Sequence, residues 1–168
     1  MCLQPELIET ESTLMEIKEM NKMAEKEMEN TIRSFSEALW KKDIDRALSF
    51  FTDDATWFTT QGTFIGRDEI KRYLAWMSKT LTDLKFTDSG VGIIIQGDKA
   101  VYQGIFESTY EGIKIKVDDV CTYEFSGDRI KNHWIISDRL SMAKQAAKGP
   151  IARMSVNTII SRMEKGLH

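Results

Sequence analysis

The sequence predicts an α+β fold, with helices gathered in the first half and a four-stranded antiparallel meander after them. Three observations carry that reading. Apolar residues recur at helical spacing between Ile32 and Leu81, interrupted by one short strand. From Lys85 the period changes to two. The alternating runs are then separated by Gly97-Asp98, Glu111-Gly112 and Gly127-Asp128, dipeptides suited to closing hairpins. Helices segregated from an antiparallel sheet should cover one face of it and leave a pocket between the two layers.

Residues 1–29 are polar and free of glycine, with Leu7, Leu14 and Met28 at seven-residue steps and Asn21 interrupting them. The pattern fits a helical arm or a frayed solvated tail. Thr31 to Lys42 is a firmer helix, with Ile32, Phe35, Leu39 and Trp40 at helical spacing. Asp43 caps a second, short helix that Asp53-Asp54 ends. Ala55 to Thr60 is β-branched and aromatic, hence a strand, and Gly62 and Gly66 mark a turn. A third helix covers Arg67 to Leu81 on the stripe Ile70, Leu74, Met77 and Leu81. Strands follow at 86–96, 99–110, 113–126 and 129–138. After Asp138 the chain is helical again, and Gly149-Pro150 separates two pieces, with proline at a favoured first helical position.

The chain therefore divides into a helical extension (1–29), one domain (30–143) and a second helical extension (144–168). Eight acidic residues against three basic ones give 1–29 a net charge of −5, and five basic against one acidic give 144–168 a charge of +4. That split predicts that the extensions pack on the domain close to one another. The seam would set Leu7, Leu14, Met15 and Met20 against Ile151, Met154, Ile159 and Met163. The rival reading is attachment of the basic C-terminal helix to a membrane surface.

Composition narrows the function classes. The 168 residues are 42% hydrophobic and 29% charged, enough for one ordinary domain with a real core. A net charge of −3 argues against a nucleic-acid binder. No apolar run approaches the ~18–20 residues of a membrane span, and the N-terminus has no signal-peptide pattern. Cys2 and Cys121 form no disulfide framework, and His133 and His168 no zinc pattern. The expectation is a cytoplasmic protein with neither metal nor cofactor.

The run Ala38-Leu39-Trp40-Lys41-Lys42-Asp43 through Phe50-Phe51-Thr52-Asp53-Asp54-Ala55-Thr56-Trp57, the segment Gly62-Thr63-Phe64-Ile65-Gly66-Arg67-Asp68-Glu69-Ile70, and Tyr123-Glu124-Phe125-Ser126-Gly127-Asp128-Arg129-Ile130 with Asp138 form a pattern. Together they resemble the SnoaL-like branch of the NTF2-like superfamily, which includes polyketide cyclases, ketosteroid isomerases and limonene-epoxide hydrolases. The resemblance covers about residues 30–143. It implies a cone-shaped α+β barrel with an apolar pocket, often dimeric. It does not fix a reaction, because one fold hosts unrelated chemistries. The positions matching the isomerase's catalytic groups hold Phe35, Thr59 and Cys121, so its oxyanion donors and its base are missing. Those matching the epoxide hydrolase's polar groups hold Tyr102, Gly104 and Ile135.

The same matching places Phe35, Trp57, Thr59, Tyr102, Phe106, Asp119, Cys121, Tyr123, His133 and Ser137 against the pocket. Asp119 and His133 are the candidate catalytic pair, a carboxylate able to orient an imidazole and raise its pKa. A plain two-residue turn at Gly127-Asp128 sets the two on opposite faces, and a one-residue bulge restores a common face. The resemblance favours the bulge. Asp138 reads as a helix N-cap, and Cys121 as a small core residue. The expected function is a small-molecule pocket protein, an isomerase, cyclase or hydrolase acting on an apolar cyclic substrate. A non-catalytic ligand-binding module and a protein-interaction scaffold remain as alternatives. The expected partners are a small apolar molecule and a second copy of the chain, joined through the outer face of the sheet at Val120, Trp134 and Ile136.

Overall fold

The computed structural model describes residues 5–166, with side chains from residue 13 onward. Cys2, His168 and the side chain of Leu7 lie outside that description. Helix α1 (Pro5–Trp40) is a single helix of 36 residues, so the expected break near residue 30 is absent. Its sequence explains this: after Pro5 no glycine or proline interrupts it, and its Glu, Lys, Met and Ala are good helix formers. Its last three turns pack on the domain through Met28, Ile32, Phe35 and Ala38.

Helix α2 (Ile44–Ser49) follows, and Asp43 caps it by accepting a hydrogen bond from the Arg46 amide at 3.1 Å. Strand β1 (Phe51–Phe58) begins earlier than its β-branched run suggests and carries Asp53 and Asp54 inside it. Phe51 and Ala55 are fully buried while both aspartates face solvent, so burial of the flanking residues overrides the aspartates' poor strand propensity. Strand β2 (Thr63–Ile65) is a three-residue edge where only a turn was expected. Helix α3 (Gly66–Thr80) buries Ile70, Tyr73, Leu74 and Met77, and Leu81 belongs to the next strand.

The meander is β3 (Leu81–Gln96), β4 (Lys99–Tyr110), β5 (Ile113–Ser126) and β6 (Arg129–Ser137). Its three connections are the expected dipeptides. Glu111 and Gly112 both take positive φ, as a type I′ turn requires. The sheet runs β2-β1-β6-β5-β4-β3 and is curved and open rather than closed into a barrel. β1 joins β6 in parallel, which brings the first strand beside the last one. Asp138 caps α4 (Arg139–Ala146) through the Ser141 amide at 2.9 Å, and α5 (Gly149–Met163) begins at Gly149-Pro150.

Two details shape the concave face. The β5–β6 register slips by one residue between Glu124 and Phe125, which leaves Lys131 unpaired as a bulge. Asp119 is thereby paired with Ser137, Cys121 with Ile135 and Tyr123 with His133. Beyond Ser137, β5 has no strand beside it, and Gln145 of α4 takes that place. Its amide accepts from the Lys116 N–H at 2.9 Å and donates to the Lys116 carbonyl at 2.8 Å. This holds α4 across the open end of the sheet.

The seam expected between the extensions does not form. Residues 13–27 of α1 are all exposed, and so are Ile151, Met154, Ile159 and Met163 of α5. The arm continues the axis of α1, and the stiffness of an unbroken helix keeps it from folding back onto its own domain. Among the described residues no helix is long and apolar enough to cross a membrane.

Candidate functional site

A cavity of about 380 Å³ lies between the concave face of the sheet and helices α1, α3 and α4. The pleat accounts for its lining. Alternate residues of β5 point inward, so Asp119, Cys121 and Tyr123 share the wall, and the bulge adds Ile135, His133 and Ser137 from β6. β1 contributes Trp57, β4 contributes Tyr102 and Phe106, and α1 contributes Phe35. Met142, Ala143 and Ala146 of α4 close one end. Of the residues expected at the pocket, Thr59 alone is not part of the lining. Its hydroxyl donates to the Gly62 carbonyl at 3.0 Å and accepts from the Gln61 and Gly62 amides, so it is spent on its own turn. Gln61 and Tyr73 stand in the wall instead, joined by a Tyr73 Oη–Gln61 Oε1 hydrogen bond of 2.9 Å. No sequence signal marked that pair, since Tyr73 lies beside the apolar stripe of its helix.

His133 sits in a stack of rings. Tyr123 lies 4.3 Å from it at 11° and Trp57 5.0 Å at 24°, while Phe35 meets it edge-on. Its residue exposure is 1%, and neither ring nitrogen has a hydrogen-bond partner among the described residues. Burial lowers its pKa from 6.5 to about 3, so the ring is neutral at physiological pH. The bulge does bring Asp119 and His133 onto one face. They are nonetheless four positions apart along the ladder, about 13 Å at the usual strand rise. No hydrogen bond joins them, so the carboxylate does not orient the imidazole.

Asp119 is 3% exposed and has different neighbours. Ser137 donates to its Oδ1 at 2.5 Å, and the Cys121 thiol lies 3.8 Å from Oδ2. Among the described residues it has no ion pair. Burial raises its pKa above the usual carboxylate value, and the hydrogen bonds from Ser137 and Cys121 offset part of that rise. The Cys121 thiol is itself pushed well above its ordinary value, by burial first and the Asp119 charge second, which rules out a resting thiolate nucleophile. Tyr102 is taken up elsewhere. Its hydroxyl donates to Asp88 at 2.6 Å, and Arg33 of α1 binds the same carboxylate at 3.2 Å, bracing α1 against β3 and β4. Among the described residues no three His, Cys, Asp or Glu side chains gather as a metal site.

An α+β fold of this topology, with a cavity between curved sheet and helices, defines the NTF2-like class. The chain belongs to the SnoaL-like domain family, whose sequence profile matches residues 32–133. No curated protein matches it significantly. Solved structures share the fold. A SnoaL-like polyketide cyclase from Shewanella denitrificans is 17% identical with a TM-score of 0.64, over 70% of this chain and 95% of that one. A limonene-epoxide-hydrolase-like epoxide hydrolase from Mycobacterium tuberculosis is 17% identical with a TM-score of 0.63, over 77% and 96%. A protein of ketosteroid isomerase-like fold from Catenulispora acidiphila, in complex with trimethylamine, is 16% identical with a TM-score of 0.63, over 69% and 91%. At these identities the likeness concerns the fold alone.

Proposed function

We propose that this SnoaL-like domain binds a small, mainly apolar molecule in its cavity and moves a proton on it with Asp119. One observation carries the reading: a carboxyl group lies in a mainly apolar cavity with no ion pair among the described residues, its pKa raised by burial and its orientation held by Ser137. A raised carboxyl pKa brings the group nearer to working pH, where an acid or base transfers protons well. The reaction class, isomerisation, cyclisation or hydrolysis, follows what the structural neighbours are named for, a ketosteroid isomerase-like fold, a polyketide cyclase and an epoxide hydrolase. In this reading His133 is a flat wall on which a ring of the substrate lies, and Asp119 carries the chemistry.

A second reading is a binding module without catalysis. Phe35 and Cys121 favour it, since both line the cavity and neither supplies a donor suited to holding an oxyanion.

A panel of cyclic ketones, lactones and epoxides tests the first reading. With whichever compound turns over, Asp119→Asn lowers kcat/KM at least about a hundredfold, the usual scale for a positioned acid or base. His133→Phe keeps the ring stack and should change it less than about tenfold. Ser137→Ala removes a hydrogen bond that holds the Asp119 pKa down, so the Asp119-dependent limb of the pH profile moves to higher pH. Turnover unaffected by Asp119→Asn contradicts the proposal.

A further inference from the structure

Two helical surfaces are left uncovered in the single chain. On the α1 arm, Glu16, Met20, Met23 and Glu27 follow one another at steps of four, three and four, so they share one helix face. All four are exposed, Met20 to 69%, and neither glutamate has an ion pair among the described residues. On α5 and the residues just past it, Ile151, Met154, Thr158, Arg162 and Lys165 also follow a helical stripe. Ile151 is 76% exposed, and Arg162 and Lys165 make no ion pair among the described residues. Each face thus pairs two large apolar side chains with two uncompensated charges, negative on the arm and positive on α5.

We propose that the arm of one copy docks on α5 of a second copy of this chain. Three arguments select that occupant. The charges are opposite within the same sequence, −5 over residues 1–29 against +4 over 144–168, which sets orientation and excludes like faces. The apolar residues on both faces gain by leaving water together. The arm does not cover its own α5, because it continues a helix whose last turns are fixed in the core and residues 14–27 stay exposed along its length. A helical segment of about fifteen residues without tertiary support is marginal in water, so the arm is expected to need a partner to stay ordered. In a twofold pair each copy supplies one arm and one α5, and both exchanges form at once.

Hydrogen exchange of the full-length protein, read by peptide at low and high micromolar concentration, locates the contact independently of any association through another face. The amides of residues 13–27 should gain at least tenfold protection with concentration, in step with those of 150–163. The double variant Arg162→Glu/Lys165→Glu should abolish the gain in the arm. Adding Glu16→Lys/Glu27→Lys to that chain should restore it, since all four positions are exposed and the fold does not depend on them. An arm whose exchange is independent of concentration, or is unchanged by reversing α5, overturns the proposal. So does a failure of the fourfold variant to recover protection. Protection of 150–163 that appears only with vesicles carrying anionic phospholipid, and never with protein concentration, overturns it in favour of a membrane surface.

Discussion

Asp119 and His133 lie on one wall, and burial moves their pKa values in opposite senses: it raises the carboxyl and lowers the imidazole. For the imidazole the consequence is a pH-dependent stability whose sign follows from which state binds the proton. The unfolded chain takes up a proton on His133 as pH falls through 6.5, while the folded chain resists until about 3. His133 therefore contributes stability above pH 6.5 that is lost progressively as pH falls toward 3. At pH 4.5 the loss is on the order of 2–3 kcal/mol. His133→Phe keeps the aromatic contacts and removes two unpaired buried nitrogens. Urea denaturation at pH 7.5 and 4.5 should show the wild type losing more stability than this variant by about that amount, and equal losses would contradict the burial argument. The resemblance to the SnoaL-like family placed Trp57, Tyr102, Cys121 and Tyr123 at the cavity, and all four line it. The chemistry of Asp119 and His133 was not legible in the sequence. Their places on neighbouring strands suggested a dyad, but the bulge sets them four positions apart along the ladder, and the aromatic stack that isolates His133 forms only in three dimensions.

The strands were the most readable elements, because hairpin dipeptides and two-residue periodicity leave little freedom between Lys99 and Ser137. Their bulge was harder to read. Nothing local to Lys131 announces it, and it is required by the burial of Asp119, Cys121 and His133 on one face. The length of α1 was also hidden, since its buried stripe stops at Met28 while its helix propensity continues. Gly104 of β4 is needed by the packing of the sheet. A Cβ there would run into the Phe86 ring and come within 2.6 Å of the Thr87 carbonyl oxygen, in the wall where Phe86 packs on Tyr102. The backbone oxygen cannot give way as a flexible side chain would. Gly104→Ala should cost about 1–3 kcal/mol, as overpacking does, and thermal or urea unfolding measures it. An unchanged midpoint would mean that β3 shifts freely at its irregularity between Asp88 and Ile93.

For the molecule as a whole, the outer face of the sheet is apolar where β1, β5 and β6 meet. Phe58 and Trp134 stack there at 5.0 Å, and Ile136 is 62% exposed. The bulge that turns His133 inward turns Trp134 and Ile136 outward, so the same register slip builds the cavity wall and this part of the external patch. We propose that a second copy covers this face, separately from the arm contact. Sedimentation at micromolar concentration should then show no species at the 19.3 kDa chain mass. Ile136→Glu should weaken self-association at least about tenfold, the penalty of burying an unpaired charge. A 19.3 kDa wild-type species at micromolar concentration would contradict the contact through the sheet.

The proposed chemistry rests on one carboxyl, Asp119, whose pKa burial raises in a mainly apolar cavity. The direct test is an NMR titration of the Asp119 side-chain carbon in the ligand-free protein, beside Ser137→Ala. The midpoint should lie above the ordinary 3.8, and higher still when the Ser137 hydroxyl is removed. A midpoint at or below 3.8 that does not move in Ser137→Ala would mean that Asp119 is solvated, and would contradict its role as the proton-transferring group.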